Sequence, residues 1–183
     1  KFVNLFIIKM NSMPYDSFLI SKKKSFLMEI NDSFPKREIK LNEKYVCIHN
    51  RDSTYLKHKY PSINWKYHNF RDFHINDMNK LINNLLKKKY NVVRLGELAS
   101  DKISIKDDRI IDYPFINKKT DINEYDLINN CEFYIGSNAG IWMYPMYLKK
   151  KMLIVNWHQY SLLNKLKHNN FSIIPKLYFD ENK

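Results

Sequence analysis

Two short stretches hold the residues best suited to chemistry. The first is His49-Asn50-Arg51-Asp52, directly after the apolar run Tyr45-Val46-Cys47-Ile48. An arginine presents a planar fork of donors that matches the oxygens of a pyrophosphate. His49 could donate to a phosphate or orient its neighbour, and Asp52 could orient Arg51 or act as a base. Arg51 and Asp52 are therefore the candidates for catalysis; the bland alternative is a surface ion pair at a strand end. The second stretch is Phe133-Tyr134-Ile135-Gly136-Ser137-Asn138-Ala139-Gly140. Here an apolar strand runs into small residues that open a helix, so free amides and the positive helix end face a phosphate. Ser137 and Asn138 would add side-chain hydrogen bonds, or one of them would simply cap the helix.

These candidates need a scaffold that brings separate strand ends together. The pattern supplies one. Short apolar runs predict strands at Tyr45–His49, Asn91–Gly96, Arg109–Tyr113, Glu132–Ser137, Met152–Trp157 and Ser172–Tyr178. Between them, Ile75, Met78, Leu81, Ile82, Leu85 and Leu86 recur at helical spacing, with Lys87–Lys89 as the last turn. Asp121 and Glu124 resemble a capping box for a helix to about Asn130, and Ala139–Leu148 reads as another helix. Residues from the fifties to seventy are aromatic and polar and read as a long loop. Strands that are apolar almost throughout, alternating with helices, predict an α/β fold: a Rossmann-like parallel sheet with helices on both faces. In such a sheet ligands bind beyond the carboxyl ends of the strands. The chain has only 3 glycines, and Gly96, Gly136 and Gly140 all fall on that rim, where tight-turn geometry is the competing explanation. Arg94, near the end of its strand, is a second cationic candidate.

Composition narrows the classes. With 183 residues, 44% apolar and 15% aromatic, the chain has material for one folded domain with a core. No run approaches the apolar length of a membrane span, and Lys1–Met10 lacks the features of a signal peptide. Cys47 and Cys131 match no zinc spacing and read as buried, reduced thiols of a cytoplasmic protein. A net charge of +12 raises nucleic acid as a partner, but the lysine clusters are scattered and no recognition motif accompanies them. Solvated surface, an anionic donor or an anionic membrane accounts for the charge better. There is no P-loop, no G-x-G-x-x-G and no Asp-x-Asp, so no metal is expected; Glu124-Tyr125-Asp126 falls inside a predicted helix and reads as surface. His58, His68, His74, His158 and His168 read as surface or packing residues. The first 44 residues, with their lysine runs and prolines, read as a linker or as the remnant of an upstream domain; the opening Lys1 suggests that a part precedes them.

The ordered set Val46–Asp52, Val92–Gly96, Ile111–Tyr113, Cys131–Gly140 with Pro145, Leu153–Asn156 and Ile174–Tyr178 resembles a group of bacterial glycosyltransferases associated with surface polysaccharides. The likeness covers Tyr45 to Tyr178 and is to their C-terminal portion. More distantly, His49-Asn50-Arg51 is similar to the donor-phosphate motif of GDP-fucose-using transferases. The resemblance implies a GT-B architecture in which residues 45–183 hold a nucleotide-diphosphate sugar without a metal. It implies Arg51 at the pyrophosphate, Ser137 and Asn138 at phosphate or ribose, and His49, Arg94, Gly96, Gly136, Ala139 and Gly140 around them. The acceptor would be a glycan or lipid-linked sugar, and the site of action cytoplasmic, peripheral to the inner membrane. The acceptor domain is not in this sequence, so a non-catalytic nucleotide-sugar-binding module, or a partial gene product, is the second reading. A basic nucleic-acid-binding domain is the third.

Overall fold

The computed structural model describes residues 44–116, 124–159 and 170–177. The expected division at residue 44 and the capping role of Asp121 lie outside them.

β1 (Tyr45–His49), β2 (Asn91–Arg94), β3 (Ile110–Asp112), β4 (Phe133–Ser137), β5 (Met152–Trp157) and β6 (Phe171–Pro175) form one sheet in the order β3-β2-β1-β4-β5-β6. Every neighbouring pair is parallel. The expected α/β Rossmann-like fold is therefore the observed one. Parallel strands need crossover connections, and these put cover on both faces, which is why the strands read as unbroken apolar runs. β1 shows it residue by residue. Tyr45 and Cys47 point into one apolar cluster and Val46 and Ile48 into the other, as the two-residue period of a strand requires.

α2 (Asn79–Lys87), entered through a 3₁₀ turn at Ile75–Met78, covers the Val46 and Ile48 face with Ile82, Leu85 and Leu86. α3 (Glu124–Asn130) covers the other face. The Tyr45 hydroxyl donates to the Leu127 carbonyl at 2.8 Å, fixing α3 over β1. α4 (Met143–Tyr147) adds Met146 to the same cluster, beside the ring contacts of Trp142 with Trp157 (5.8 Å) and Trp157 with Phe171 (6.4 Å). Fully burying each such side chain contributes roughly 1.5–3 kcal/mol.

Two expectations change. The segment read as a loop holds α1 (Thr54–Lys59) and a 3₁₀ turn at Lys66–Arg71. The helix expected from Ala139 begins instead as a 3₁₀ turn at Gly140–Trp142, and α4 is only 5 residues long. Pro145 inside that span removes a backbone donor and limits a longer helix.

Gly136 has a packing reason to be glycine. The fully buried Tyr134 ring lies back along β4, and a Cβ at 136 would collide with it. Gly136→Ala is expected to displace that ring and cost about 1–3 kcal/mol, read as a lower urea midpoint. An unchanged midpoint would show that Tyr134 relaxes freely.

Candidate functional site

In this strand order the chain leaves β1 toward β2 on one side, while β4 pairs with β1 on the other. The junction of β1 and β4 is thus the switch point at which sheets of this type bind ligands. Both sequence-predicted stretches converge there. His49 Nδ1 lies 3.5 Å from Ser137 Oγ, and their strands are in direct register, His49 opposite Gly136. Asn138 continues the edge, its Nδ2 3.3 Å from Nδ1 of His158, just past the end of β5.

The Lys66–Arg71 turn lies as a strap across this edge. Arg51 Nη1 donates to the His68 carbonyl (3.2 Å), Asn156 Nδ2 to the Arg71 carbonyl (2.9 Å), and Lys176 Nζ to the Phe70 carbonyl. The ends of β1, β5 and β6 therefore all hold one short piece of chain. Phe70 meets the His158 ring edge-on at 4.8 Å.

The strap adds charge to the edge. Arg51 forms an ion pair with Asp72, yet its Nη2 is buried and finds no hydrogen-bond partner among the described residues. Arg71 Nη2 contacts His68 Nδ1 at 2.5 Å, while its Nε is likewise buried and unsatisfied. Burial and the neighbouring Arg71 lower the Arg51 guanidinium to about 10, which still leaves it a cation at neutral pH. Three histidines are pushed toward the neutral form. His49 falls to about 4 through burial, then repulsion from Arg94, against a smaller pull from Asp52 and with a still smaller push from Arg51. His68 falls to about 4 through burial, Arg71, Arg51 and His158. His158 is lowered by burial, Arg71, Arg51 and Lys176. Their proximity to cations makes this edge short of negative charge. That is the arrangement an anion would relieve.

Other predicted residues are employed elsewhere. Asp52 accepts the Thr54 amide (2.8 Å) and the Ser100 amide (3.1 Å), tying down two loops; the acid that meets Arg51 is Asp72. Arg94 is 1% exposed and buried under the β2–β3 connection. Its Nε donates to Asn50 Oδ1 (3.1 Å) and its Nη1 to the Asp101 carbonyl (2.5 Å) and Asp112 Oδ1 (3.1 Å). Gly96, at φ +133°, gives its amide to Glu124 Oε1 at 2.5 Å, so Glu124 is not the plain surface residue expected. The Ala139 amide is spent on the Ser137 carbonyl (2.8 Å), and Gly140 is exposed with open space around it.

His68, Arg71, Asp72, Asn156, His158 and Lys176 were not anticipated. One signal was present: no acidic residue occurs between Asp52 and Asp72, a stretch that holds Lys57, Lys59, Lys66 and Arg71. A separate concavity of about 840 Å³ lies at the far margin of the sheet, lined by Lys102, Ile103, Lys106, Asp108 and Phe115. It is beside β3, away from the switch point. Among the described residues no helix is long and apolar enough to cross a membrane.

No family model matches the chain, and no curated protein does. Two solved structures are similar to it. One is the E. coli heptosyltransferase WaaC, solved with ADP-2-deoxy-2-fluoro heptose, at 7% identity and a TM-score of 0.48 over 78% of this chain and 39% of that one. The other is TibC from enterotoxigenic E. coli H10407, an iron-containing dodecameric glycosyltransferase, at 15% identity and a TM-score of 0.38 over 67% of this chain and 29% of that one. The chain thus spans well under half the length of either.

Proposed function

We propose that this chain is the nucleotide-sugar-binding half of a GT-B glycosyltransferase, moving a sugar from a nucleotide-diphosphate donor to a surface glycan or related acceptor. One observation carries the reading. Arg51, Arg71 and three histidines converge on the switch point of a Rossmann-type sheet, and two of the guanidinium nitrogens are buried with no hydrogen-bond partner among the described residues. A diphosphate supplies the missing acceptors.

When the sugar leaves, charge builds on the departing diphosphate, and fixed cations in a half-buried setting stabilise that charge better than water does. Arg51 is the principal donor in this reading, with Ser137 and Asn138 beside it for phosphate or ribose. The cations come from the chain itself, so the reading requires no metal. The likeness of His49-Asn50-Arg51 to the GDP-fucose motif makes GDP the first nucleotide to try.

The test is a thermal-shift series with GDP, UDP, ADP, CDP and TDP. One nucleoside diphosphate is expected to raise Tm well above the rest. If none does at millimolar concentration, the donor-site reading is wrong for this chain.

The histidines add a dependence on pH. Their folded values lie below the ordinary 6.5, so the unfolded chain binds more protons as pH falls from 6.5 toward 4. The empty protein therefore loses stability across that window. A bound anion favours the charged imidazoles and offsets the loss. Sulfate, whose own charge is constant there, is expected to stabilise the protein more at about pH 5.5 than at about pH 7.5. A shift independent of pH would place the anion away from His49, His68 and His158.

A further inference from the structure

We propose that the outer surface of α1, of the turn that follows it and of the strap, from Lys57 to Phe70 with Leu177 beside it, docks on an anionic lipid bilayer. This goes beyond the donor reading and rests on other side chains.

The first support is apolar exposure. Tyr60 (43%), Ile63 (47%), Tyr67 (63%), Phe70 (42%) and Leu177 (69%) are all open to solvent, and they are most of the exposed large apolar side chains among the described residues. Four of the five lie in one short stretch of chain, from Tyr60 to Phe70. Trp65 joins Tyr60 (6.0 Å between ring centroids) to Tyr67 (6.1 Å), and the bond from Lys176 to the Phe70 carbonyl brings Leu177 alongside. The second is charge complementarity. Lys57, Lys59 and Lys66 are exposed on this surface, and no acid lies between Asp52 and Asp72 to oppose them. Amphipathic Tyr and Trp rings with flanking lysines suit the headgroup layer of a membrane, and anionic lipid attracts such segments.

The ring geometry disfavours single-stranded nucleic acid, which needs open aromatic faces as platforms for bases. Trp65 stacks on His68 at 5.8 Å, and Tyr67 is tilted 30° to Trp65 and 40° to His68, so the rings lean on one another instead of ranking as parallel platforms. Ile63 and Leu177 offer nothing to a base but bury well among acyl chains. Docking here would hold the carboxyl edge of the sheet at the bilayer, where a lipid-linked acceptor is presented.

The experiment is co-sedimentation of the full chain with phosphatidylcholine vesicles, with and without about 30% phosphatidylglycerol. Binding to the anionic vesicles, weakening between about 0.1 M and about 0.5 M salt, is expected. Because the whole chain is basic, the decisive comparison is between two charge-matched variants. One is Lys57→Glu with Lys59→Glu and Lys66→Glu. The other is Lys87→Glu with Lys88→Glu and Lys89→Glu, at the end of α2 and the opposite edge of the sheet. The strap variant is expected to lose on the order of tenfold or more in vesicle affinity and the α2 variant much less. Ile63→Ser with Leu177→Ser should also weaken binding while leaving charge, Tm and nucleotide binding unchanged. Equal losses in the two lysine variants would show attraction by net charge alone and overturn the proposal. So would equal binding to neutral vesicles, or binding indifferent to Ile63 and Leu177. Tighter binding to a single-stranded oligonucleotide, lost in the same strap variants, would assign the surface to nucleic acid instead.

Discussion

Arg51→Ala is expected to lower affinity for the stabilising nucleoside diphosphate by about 100-fold or more, measured by titration calorimetry. Hydrogen bonds to charged groups contribute about 1.5–3 kcal/mol each, and the guanidinium fork can offer two at once. Alanine does more than remove a cation. Arg51 is paired with Asp72, so its loss leaves an uncompensated carboxylate beside the site, and that carboxylate repels the ligand. Arg51→Ala with Asp72→Asn should therefore bind better than Arg51→Ala alone. Asp72→Asn by itself carries a less obvious expectation. Asp72 takes Nη1, one arm of the fork that a phosphate would use, so the asparagine variant should bind the diphosphate more tightly than the parent. Normal binding by Arg51→Ala would reduce Arg51 to an anchor of the strap and remove the basis of the donor site.

Arg94→Ala is expected to act on stability instead. Its guanidinium is 1% exposed and serves Asn50, Asp101 and Asp112. Breaking a buried ion pair by removing one partner typically costs about 3–5 kcal/mol, because the other charge stays behind. In a chain of this size that corresponds to a Tm lower by roughly 10 °C. Diphosphate affinity of the surviving folded protein should change little. A variant of normal Tm that fails to bind nucleotide would return Arg94 to the donor site.

These two arginines show where reading a sequence stops. Each stands at or just past the end of an apolar run, and the local pattern treats them alike. Register separates them: Arg94 is paired opposite Ile48 and Asp112, under the β2–β3 connection, whereas Arg51 lies past the end of β1 at the switch point. The strands themselves were legible because burial on both faces leaves an unbroken apolar run. Tyr45–His49 and Met152–Trp157 match their expected bounds to the residue. The order β3-β2-β1-β4-β5-β6 was not legible, since it depends on where each crossover lands, and with it went the knowledge that His49 and Ser137 meet. The strap was missed for another reason. Its turns carry no apolar period, and its ties come from distant residues such as Asn156 and Lys176. Asp52 looked like the partner of Arg51 because it is adjacent in sequence, but adjacent side chains diverge at a strand end, and an acid twenty-one positions on takes that place.

The ties of the strap share one more property. Arg51, Asn156 and Lys176 reach His68, Arg71 and Phe70 through main-chain carbonyls, a group that every amino acid carries. Natural variation at positions 66–71 therefore leaves these three acceptors in place. Exchange of Lys66 or Tyr67 would alter the outward side chains of the strap, while the burden of attachment falls on three donors at the strand ends. The outward face is free to diverge and the inward attachment is not, which makes this short segment the place where related chains should differ most in their outward side chains and least in where the backbone runs.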